Sequence, residues 1–323
     1  MQVASVKQGS KAHRSIDGGC PLGKKYNFLV MLKHYVIESL EPSLYFGFFT
    51  SLIGVLAAAR TGHFLFLQAS LVIAGILIAQ AGVNLLDDYQ DYMSGLDKET
   101  VKTKFSGGSA LIAKRLIDPK KVLYISMSCL SIAAVIGVSL LVYNQLLLPF
   151  MVFGALAILF YPRYIVKIPL MQEPFVAFSF VMVCVGSFLA AGGSLAGLAY
   201  PLLAFIPAGL LVGIASLAHS VPDARFDAKH GRRSITVVLN SNHKRAYVYL
   251  SFYTMTYVLV VSGVILGGLP IFSLSVLLTI PLCVVVFNAI RSYRDPKSFE
   301  GSMGRNALSA FIYYLLLAIA FVI

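Results

Sequence analysis

Nine apolar runs, separated by polar or glycine-containing loops, constrain this chain more than any other feature of its sequence. A helix needs roughly 20 residues to cross the hydrocarbon core of a bilayer, which is about 30 Å thick. The runs cover residues 42–59, 63–86, 122–143, 146–160, 174–191, 198–218, 246–266, 271–290 and 307–323. Charged residues make up 12% of the chain, whereas a soluble domain carries about 25%. We therefore predict an all-α integral membrane protein with nine transmembrane helices.

The charged residues lie almost entirely in alternate loops of this series. The long, polar loops are the N-terminal tail and residues 87–121, 161–173, 219–245 and 291–306. The short loops are residues 60–62, 144–145, 192–197 and 267–270. All 14 acidic residues and all but one of the 26 lysines and arginines belong to the long loops, and the exception is Arg60. Nine helices bring the long loops to one face, which the positive-inside rule makes cytoplasmic, with Ile323 outside.

Composition also excludes some partners and sites. A net charge of +12 would indicate nucleic acid for a soluble protein, but here the basic residues lie between membrane spans and orient the chain. The four cysteines are scattered without a disulfide or metal-ligand pattern, so we interpret them as small core residues. Residues 1–26 are polar and basic and lack the apolar stretch that is typical of a signal peptide. We expect them to form a flexible cytoplasmic tail, followed by a single transmembrane domain at residues 27–323.

The end of the second span carries a cluster of acidic residues. If the helix continues past the apolar run, Asn84, Asp87, Asp88 and Asp91 occupy one stripe about 100° wide. Carboxylates this close together repel one another unless a cation lies between them. Such oxygen ligands suit Mg²⁺, which typically binds one or two carboxylates together with substrate phosphates.

A second acidic pair follows the sixth span, on the same side of the predicted membrane. Asp223 and Asp227 are one helical turn apart, and basic residues are interleaved with them. One cluster alone could be a solvated helix end. Two clusters of the same polarity, four spans apart, can converge across a bundle and hold Mg²⁺ ions and a diphosphate. The predicted metal ligands are Asp87, Asp88, Asp91, Asp223 and Asp227.

This arrangement suits the ionisation of a prenyl diphosphate. Breaking an allylic carbon–oxygen bond produces a carbocation and a diphosphate, and metal ions stabilise the charge on that leaving group. An apolar helical interior accommodates the isoprenoid tail and excludes water from the cation. The alternative class is a transporter, whose polar groups usually lie near the bilayer midplane on broken helices, whereas these aspartates lie at one boundary. A purely structural membrane protein gives no reason for clustered carboxylates.

At these residues the chain resembles the UbiA superfamily of intramembrane aromatic prenyltransferases. Residues 84–91 match the first aspartate motif of that family and residues 223–227 match the second, and the resemblance covers nearly the whole chain. It implies a UbiA-type bundle of nine helices with cytoplasmic cap loops. Many relatives carry asparagine at the position of Asp87, so either Asn84 or Asp87 fills the asparagine role of the family.

Further motifs resemble the branch that prenylates 1,4-dihydroxy-2-naphthoate. They are Asp91-Tyr92-x-x-Gly95-x-Asp97, Phe105-Ser106-Gly107-Gly108-Ser109 and Asp223-x-x-x-Asp227-x-x-x-Gly231-x-x-Ser234. The loop after the fourth span resembles the family's loop through Tyr161, Lys167 and Glu173. This resemblance implies that Tyr161 lies near the reacting carbons and Lys167 near the diphosphate. The alternative is an interfacial tyrosine and a lysine that only orients the chain.

The resemblance implies Mg²⁺-dependent transfer of a polyprenyl group from a prenyl diphosphate to 1,4-dihydroxy-2-naphthoate, a step of menaquinone biosynthesis in the cell membrane. The acceptor could instead be 4-hydroxybenzoate, homogentisate, haem, chlorophyllide or a glyceryl phosphate lipid. The residues assigned to catalysis are Asp88, Asp91, Asp223, Asp227, Tyr161 and Lys167. The residues assigned to substrate binding are Asn84, Asp87, Lys104, Ser106 and Arg225. Beyond its substrates we expect contact with membrane lipid, and neither nucleic acid nor an obligate protein partner.

Single cysteines at Ser109 and Ser194, in a chain without its native cysteines, test the topology. We expect Ser109→Cys to react with an impermeant thiol reagent only from the cytoplasmic side, and Ser194→Cys only from the outside, because an odd number of spans separates them. If both positions react from the same side, the nine-span arrangement is wrong.

Overall fold

The structure of the chain, a computed structural model, describes residues 43–61, 64–95, 112 and 117–323. In that part of the chain the regular elements are all helical. They are α1 (Ser43–Ala59), α2 (Phe66–Ser94), α3 (Pro119–Leu141), α4 (Leu148–Phe160), α5 (Gln172–Ala190), α6 (Leu202–Lys229), α7 (Ile235–Leu239), α8 (Asn242–Ile265), α9 (Ile280–Arg291) and α10 (Pro296–Val322). Short 3₁₀ segments cover Gln145–Leu147, Ile165–Lys167, Leu195–Gly197 and Ile271–Thr279. The predicted all-α class is confirmed over these residues.

Seven segments of the described chain are long and apolar enough to cross a membrane. They are Phe66–Ser94, Pro119–Leu141, Gln172–Ala190, Leu202–Lys229, Asn242–Ile265, Ile271–Arg291 and Pro296–Val322. Two shorter apolar helices, Leu44–Ala59 and Gln145–Phe160, lie at the first and fourth predicted runs. The chain is therefore a multi-pass helical membrane protein.

Several helices extend beyond the apolar runs that predicted them. The runs ended at residues 86 and 218, but α2 continues to Ser94 and α6 to Lys229, and α10 begins at Pro296 instead of residue 307. Hydropathy marks where a helix leaves the hydrocarbon, whereas backbone hydrogen bonding continues until a residue ends it. Gly95 ends α2 with a φ of 82°, in the left-handed region that favours glycine. Both acidic motifs consequently lie on helical turns.

Glycines allow α5 to pack closely against two other helices. Gly209 and Gly213 lie one turn apart on α6, and a Cβ on Gly209 would collide with the α5 backbone, while one on Gly213 would lie 2.9 Å from the carbonyl oxygen of Glu173. On α1, a Cβ on Gly54 would collide with the carbonyl oxygen of Cys184. Small residues let the backbones of membrane helices approach one another in this way. The packing places the start of α5 beside the later turns of α6.

Polar side chains connect helices within the bundle. Tyr249 on α8 donates a hydrogen bond to Oδ1 of Asn306 on α10 at 2.9 Å, and Tyr314 on α10 donates to the carbonyl oxygen of Ala208 on α6 at 2.5 Å. Hydrocarbon offers these groups no other partners, and such bonds between membrane helices contribute about 0.6 kcal/mol on average. They help to define how α10 is rotated against its neighbours.

Arg60 marks the end of the bundle that lies away from the acidic motifs. Its guanidinium donates to the carbonyl oxygen of Phe321, in the last turn of α10, at 3.3 Å. A cation is favourable there because the C-terminus of a helix carries partial negative charge. Since α2 starts close to Arg60 in the chain and runs for 29 residues, its acidic C-terminal turns lie at the other end.

Replacing Gly209 by alanine tests the contact between α5 and α6. The added methyl group would collide with the α5 backbone, so we expect Gly209→Ala to lower the free energy of unfolding by about 1–3 kcal/mol. Gly154→Ala in α4 is the matched control, because nothing lies within 4 Å of the added Cβ. Thermal unfolding of both variants in detergent measures the difference, and equal midpoints would contradict the close approach of the two helices.

Candidate active site

The first acidic motif lies on the last turns of α2. Asn84 and Asp88 are 7% and 6% exposed, whereas Asp91 is half-buried and Asp87 is exposed. Gln80, one turn earlier, donates through Nε2 to Oδ1 of Asn84 at 3.1 Å. Of the two residues that could fill the family's asparagine role, Asn84 is thus the one whose side chain is buried beside Asp88.

The second acidic motif lies on the last turns of α6. Asp227 is buried and Asp223 is half-buried, and the two share one helical face because they are four residues apart. Asp223 lies toward the loop between α9 and α10, where burial and then the Asp223 carboxylate raise the pKa of Tyr293. Arg225 is exposed and lies two residues from each aspartate, about 200° around the helix. The structure therefore places Arg225 on a different face of α6 from Asp223 and Asp227.

Arg232 joins the two motifs. Its Nη2 lies 2.6 Å from Oδ1 of Asp91, and its Nη1 lies 3.7 Å from Oδ1 of Asp227. The Arg232 backbone N–H also donates to the carbonyl oxygen of Asp227 at 2.9 Å, after a turn at Gly231 with a φ of 77°. The structure thus brings the C-terminal ends of α2 and α6 to a common position.

The aspartates stabilise the charged guanidinium of Arg232. Burial by itself lowers the pKa of Arg232, but the negative charges of Asp91, Asp87 and Asp227 outweigh that effect and raise it. Sequence reasoning noted basic residues near the second motif but assigned no role to Arg232. The adjacent arginines 232 and 233 look equivalent in the sequence, and only the turn at Gly231 decides which side chain faces the aspartates.

Tyr161 follows the end of α4 and lies close to the same charges. Its ring is half-buried and stacks on Phe175, with centroids 6.0 Å apart and planes at 20°. Burial and then the charge of Asp87 raise the pKa of Tyr161, while Arg232 lowers it. Burial and the charge of Asp87 outweigh the effect of Arg232, so the phenol of Tyr161 is neutral at physiological pH. Lys167, at the end of a 3₁₀ turn, is exposed and forms no ion pair with any other residue that the structure describes.

The loop after α4 is hydrogen bonded to the loop that carries Arg232. The Arg233 N–H donates to the carbonyl oxygen of Val166 at 2.7 Å. The carboxylate of Glu173, which is fully buried, accepts from the Ile235 N–H at 3.0 Å. In the sequence only the family resemblance points to Glu173, and in the structure this residue anchors the residues that follow Arg232. The two loops therefore form one unit.

Residues after this loop fix it to α6 and α8. Ser234 caps the N-terminus of α7 by accepting from the Val237 N–H at 3.4 Å. Thr236 donates to the carbonyl oxygen of Ser220 at 3.1 Å, and Arg245 donates through Nε to the carbonyl oxygen of Thr236 at 2.7 Å. The backbone around Arg232 is thus held from both sides.

The donor chemistry of the site fits a hard divalent cation. Asp91 and Asp227 already share a positive group, and carboxylate oxygens are the ligands that Mg²⁺ prefers. Among the described residues, no group of three or more His, Cys, Asp or Glu side chains is close enough to hold a metal ion. The five predicted metal ligands therefore stay a prediction. Lys104, Ser106, Asp97 and the motif at residues 105–109 lie outside the described residues.

Comparison with known proteins matches residues 47–322 to the UbiA prenyltransferase family, the family that the motifs resemble. A similar characterised sequence is the 1,4-dihydroxy-2-naphthoate octaprenyltransferase of Bacillus subtilis (strain 168). It is 25% identical over 252 residues, which cover 76% of this chain and 78% of the relative.

Solved structures of UbiA homologues share the fold. The apo homologue from Aeropyrum pernix K1 superposes with a TM-score of 0.64 at 17% identity, covering 85% of this chain and 96% of the homologue. The homologue from Archaeoglobus fulgidus bound to DMAPP and Mg²⁺ has a TM-score of 0.59 at 14% identity, covering 88% and 99%.

Proposed function

The chain belongs to the UbiA prenyltransferase family and is therefore a prenyltransferase, and we propose that it transfers a polyprenyl group from a prenyl diphosphate to 1,4-dihydroxy-2-naphthoate in an Mg²⁺-dependent reaction. The observation that carries this proposal is the meeting of Asp91 and Asp227 at the guanidinium of Arg232. Alternating negative and positive groups at one end of an apolar bundle suit a diphosphate, its counter-cations and a hydrophobic tail.

The carboxylates of both motifs would hold the metal. The proposed ligands are Asp87, Asp88, Asp91, Asp223 and Asp227. A homologue of the same fold was solved with DMAPP and Mg²⁺, which supports a prenyl diphosphate and this cation as ligands here. When bound, Mg²⁺ stabilises the negative charge that develops on the diphosphate as the carbon–oxygen bond breaks.

Basic and aromatic residues of the chain complete the proposed chemistry. Arg232 presents a planar fork that can donate two hydrogen bonds to diphosphate oxygens, and the exposed Lys167 can add its charge from the neighbouring loop. Tyr161 presents a neutral ring beside the same charges, and the face of an aromatic ring attracts a cation. The acceptor then attacks C1 of the allylic cation, and the attacked ring carbon releases its substituent, a proton or the carboxyl group as CO₂, which restores the aromatic ring. No covalent enzyme intermediate is needed.

We propose the naphthoate as acceptor on two grounds. The relative from Bacillus subtilis is named as a 1,4-dihydroxy-2-naphthoate octaprenyltransferase. In addition, residues 91–97, 105–109 and 223–234 resemble that branch of the family. The alternative acceptors are 4-hydroxybenzoate, homogentisate, haem, chlorophyllide and a glyceryl phosphate lipid. Lys104 and Ser106 remain the proposed contacts to substrate in the first cytoplasmic loop, and Arg225 one in the second.

The charge pattern supports a definite orientation in the cell membrane. We propose nine spans, of which α1 and α4 with its preceding 3₁₀ turn are the short ones, in a single domain from residue 27 to 323. The tail at residues 1–26, both aspartate motifs and the loop through Tyr161 would be cytoplasmic. The thiol labelling at Ser109 and Ser194 tests this orientation.

Identification of the product tests the proposed reaction. With Mg²⁺, geranylgeranyl diphosphate and each candidate acceptor in turn, we expect the purified protein to prenylate 1,4-dihydroxy-2-naphthoate, as measured by mass spectrometry. Asp91→Ala and Asp227→Ala should each lower the rate about 10²–10³-fold, because charge on the leaving group is no longer stabilised. Glu300→Ala, which removes an acidic residue that belongs to neither motif, is the matched control. Product on a different acceptor would overturn the choice of naphthoate, and normal turnover in EDTA would overturn the role of the metal.

Substitution of Tyr161 separates the role of its ring from that of its hydroxyl. Because the ring face would stabilise the cation, we expect Tyr161→Phe to retain most of the activity and Tyr161→Ala to lose it about 10-fold or more. Steady-state kinetics with each substrate varied in turn measures both variants. Equal losses in the two variants would assign the role to the hydroxyl instead.

A further inference from the structure

We propose that Arg232 is a built-in counter-cation that a divalent metal and the diphosphate displace together. In the structure its guanidinium lies between the two aspartate motifs. A divalent cation that binds there takes Asp91 from Arg232, and the diphosphate then provides the guanidinium with a new anionic partner. This inference rests on the proposed function for the nature of the two ligands.

The position of the guanidinium supports the first part of this proposal. It spans carboxylates from helices that meet only in the folded bundle, since Arg232 and Asp91 are 141 residues apart. The bond to Asp91 is short, at 2.6 Å, while the contact to Asp227 is longer, at 3.7 Å. Two carboxylates brought this close repel each other unless a positive group lies between them. Arg232 supplies that group from within the chain.

The backbone around Arg232 is fixed while its side chain is accessible. The N–H groups of Arg232 and Arg233 are bonded to the carbonyl oxygens of Asp227 and Val166, at 2.9 and 2.7 Å. The side chain of Arg232, in contrast, is 25% exposed and that of Asp91 is 22% exposed. A rotation of the side chain can therefore release Asp91 without moving the loop.

Charge balance makes the exchange cooperative. A divalent cation that binds alone must break the short ion pair with Asp91 and leave the guanidinium with only its longer contact to Asp227. When the cation binds together with diphosphate, the guanidinium gains a new anionic partner, because diphosphate oxygens can accept two parallel hydrogen bonds from it. Metal and diphosphate should therefore strengthen each other's binding through Arg232, and such coupling is reciprocal.

The test measures binding of each ligand alone to the full-length protein in detergent. Mn²⁺, followed by electron paramagnetic resonance, serves as the metal, and inorganic pyrophosphate in EDTA serves as the anion. We expect Arg232→Gln to bind Mn²⁺ roughly tenfold more tightly and pyrophosphate roughly tenfold more weakly, as expected for the loss of one close charge pair. Arg232→Lys keeps the charge but not the planar guanidinium, so its affinities for both ligands should lie between those of the wild type and Arg232→Gln. Arg163→Gln removes an exposed positive charge and should match the wild type for both ligands.

The opposite directions of the two expected changes in affinity distinguish a displaceable counter-cation from a purely structural residue. If Arg232 only held the site together, its loss would weaken the binding of both Mn²⁺ and pyrophosphate, and that result overturns the proposal. An unchanged affinity for Mn²⁺ or for pyrophosphate in Arg232→Gln overturns it as well. The readout is independent of catalysis. Opposite shifts in a protein that prenylates no tested acceptor would support this inference while rejecting the proposed reaction, and unchanged affinities in an active enzyme would do the reverse.

Discussion

Inside a bilayer, water is not available to solvate a charge or to bond an unpaired polar group, and each such group must find its partner within the protein. Tyr249 and Tyr314 meet this requirement with partners on neighbouring helices. The buried carboxylate of Glu173 meets it with the Ile235 N–H. The same constraint explains why the carboxylates of this chain gather at one end of the bundle, where loops can supply cations and backbone donors.

A series of contacts connects the packing of the helices to the position of Arg232 in the site. Gly209 and Gly213 let α6 approach α5, which brings Glu173 beside the residues that follow α6. Glu173 then accepts a hydrogen bond from the N–H of Ile235, and the loop after α4 is bonded to Arg233, two residues earlier. Arg232 reaches the two motifs from this supported loop. Packing in the apolar part of the bundle and electrostatics at its boundary are thus physically connected.

A shared guanidinium also bears on how two acidic motifs coexist. Asp91 and Asp227 are on different helices, and their repulsion would oppose helix packing if each remained uncompensated. With Arg232 between them, the ends of the two helices can lie close together. A guanidinium can bind either a carboxylate or a phosphate, because the oxygen atoms of each can accept paired hydrogen bonds from it. Arg232 is therefore suited to exchange a carboxylate partner for a substrate phosphate.

The sequence by itself determined the helical class, the order of the apolar segments and the two acidic motifs, since each depends on residues close together in the chain. Hydropathy did not give the ends of α2 and α6, because it reports the edge of the hydrocarbon and not the end of backbone hydrogen bonding. The tertiary structure alone decided that Arg232 joins the motifs, that Asn84 is buried while Asp87 and Arg225 are exposed, and that Glu173 anchors a loop. Those outcomes depend on contacts between segments as many as 141 residues apart, whose geometry is set by how the helices pack and not by any local pattern of residues.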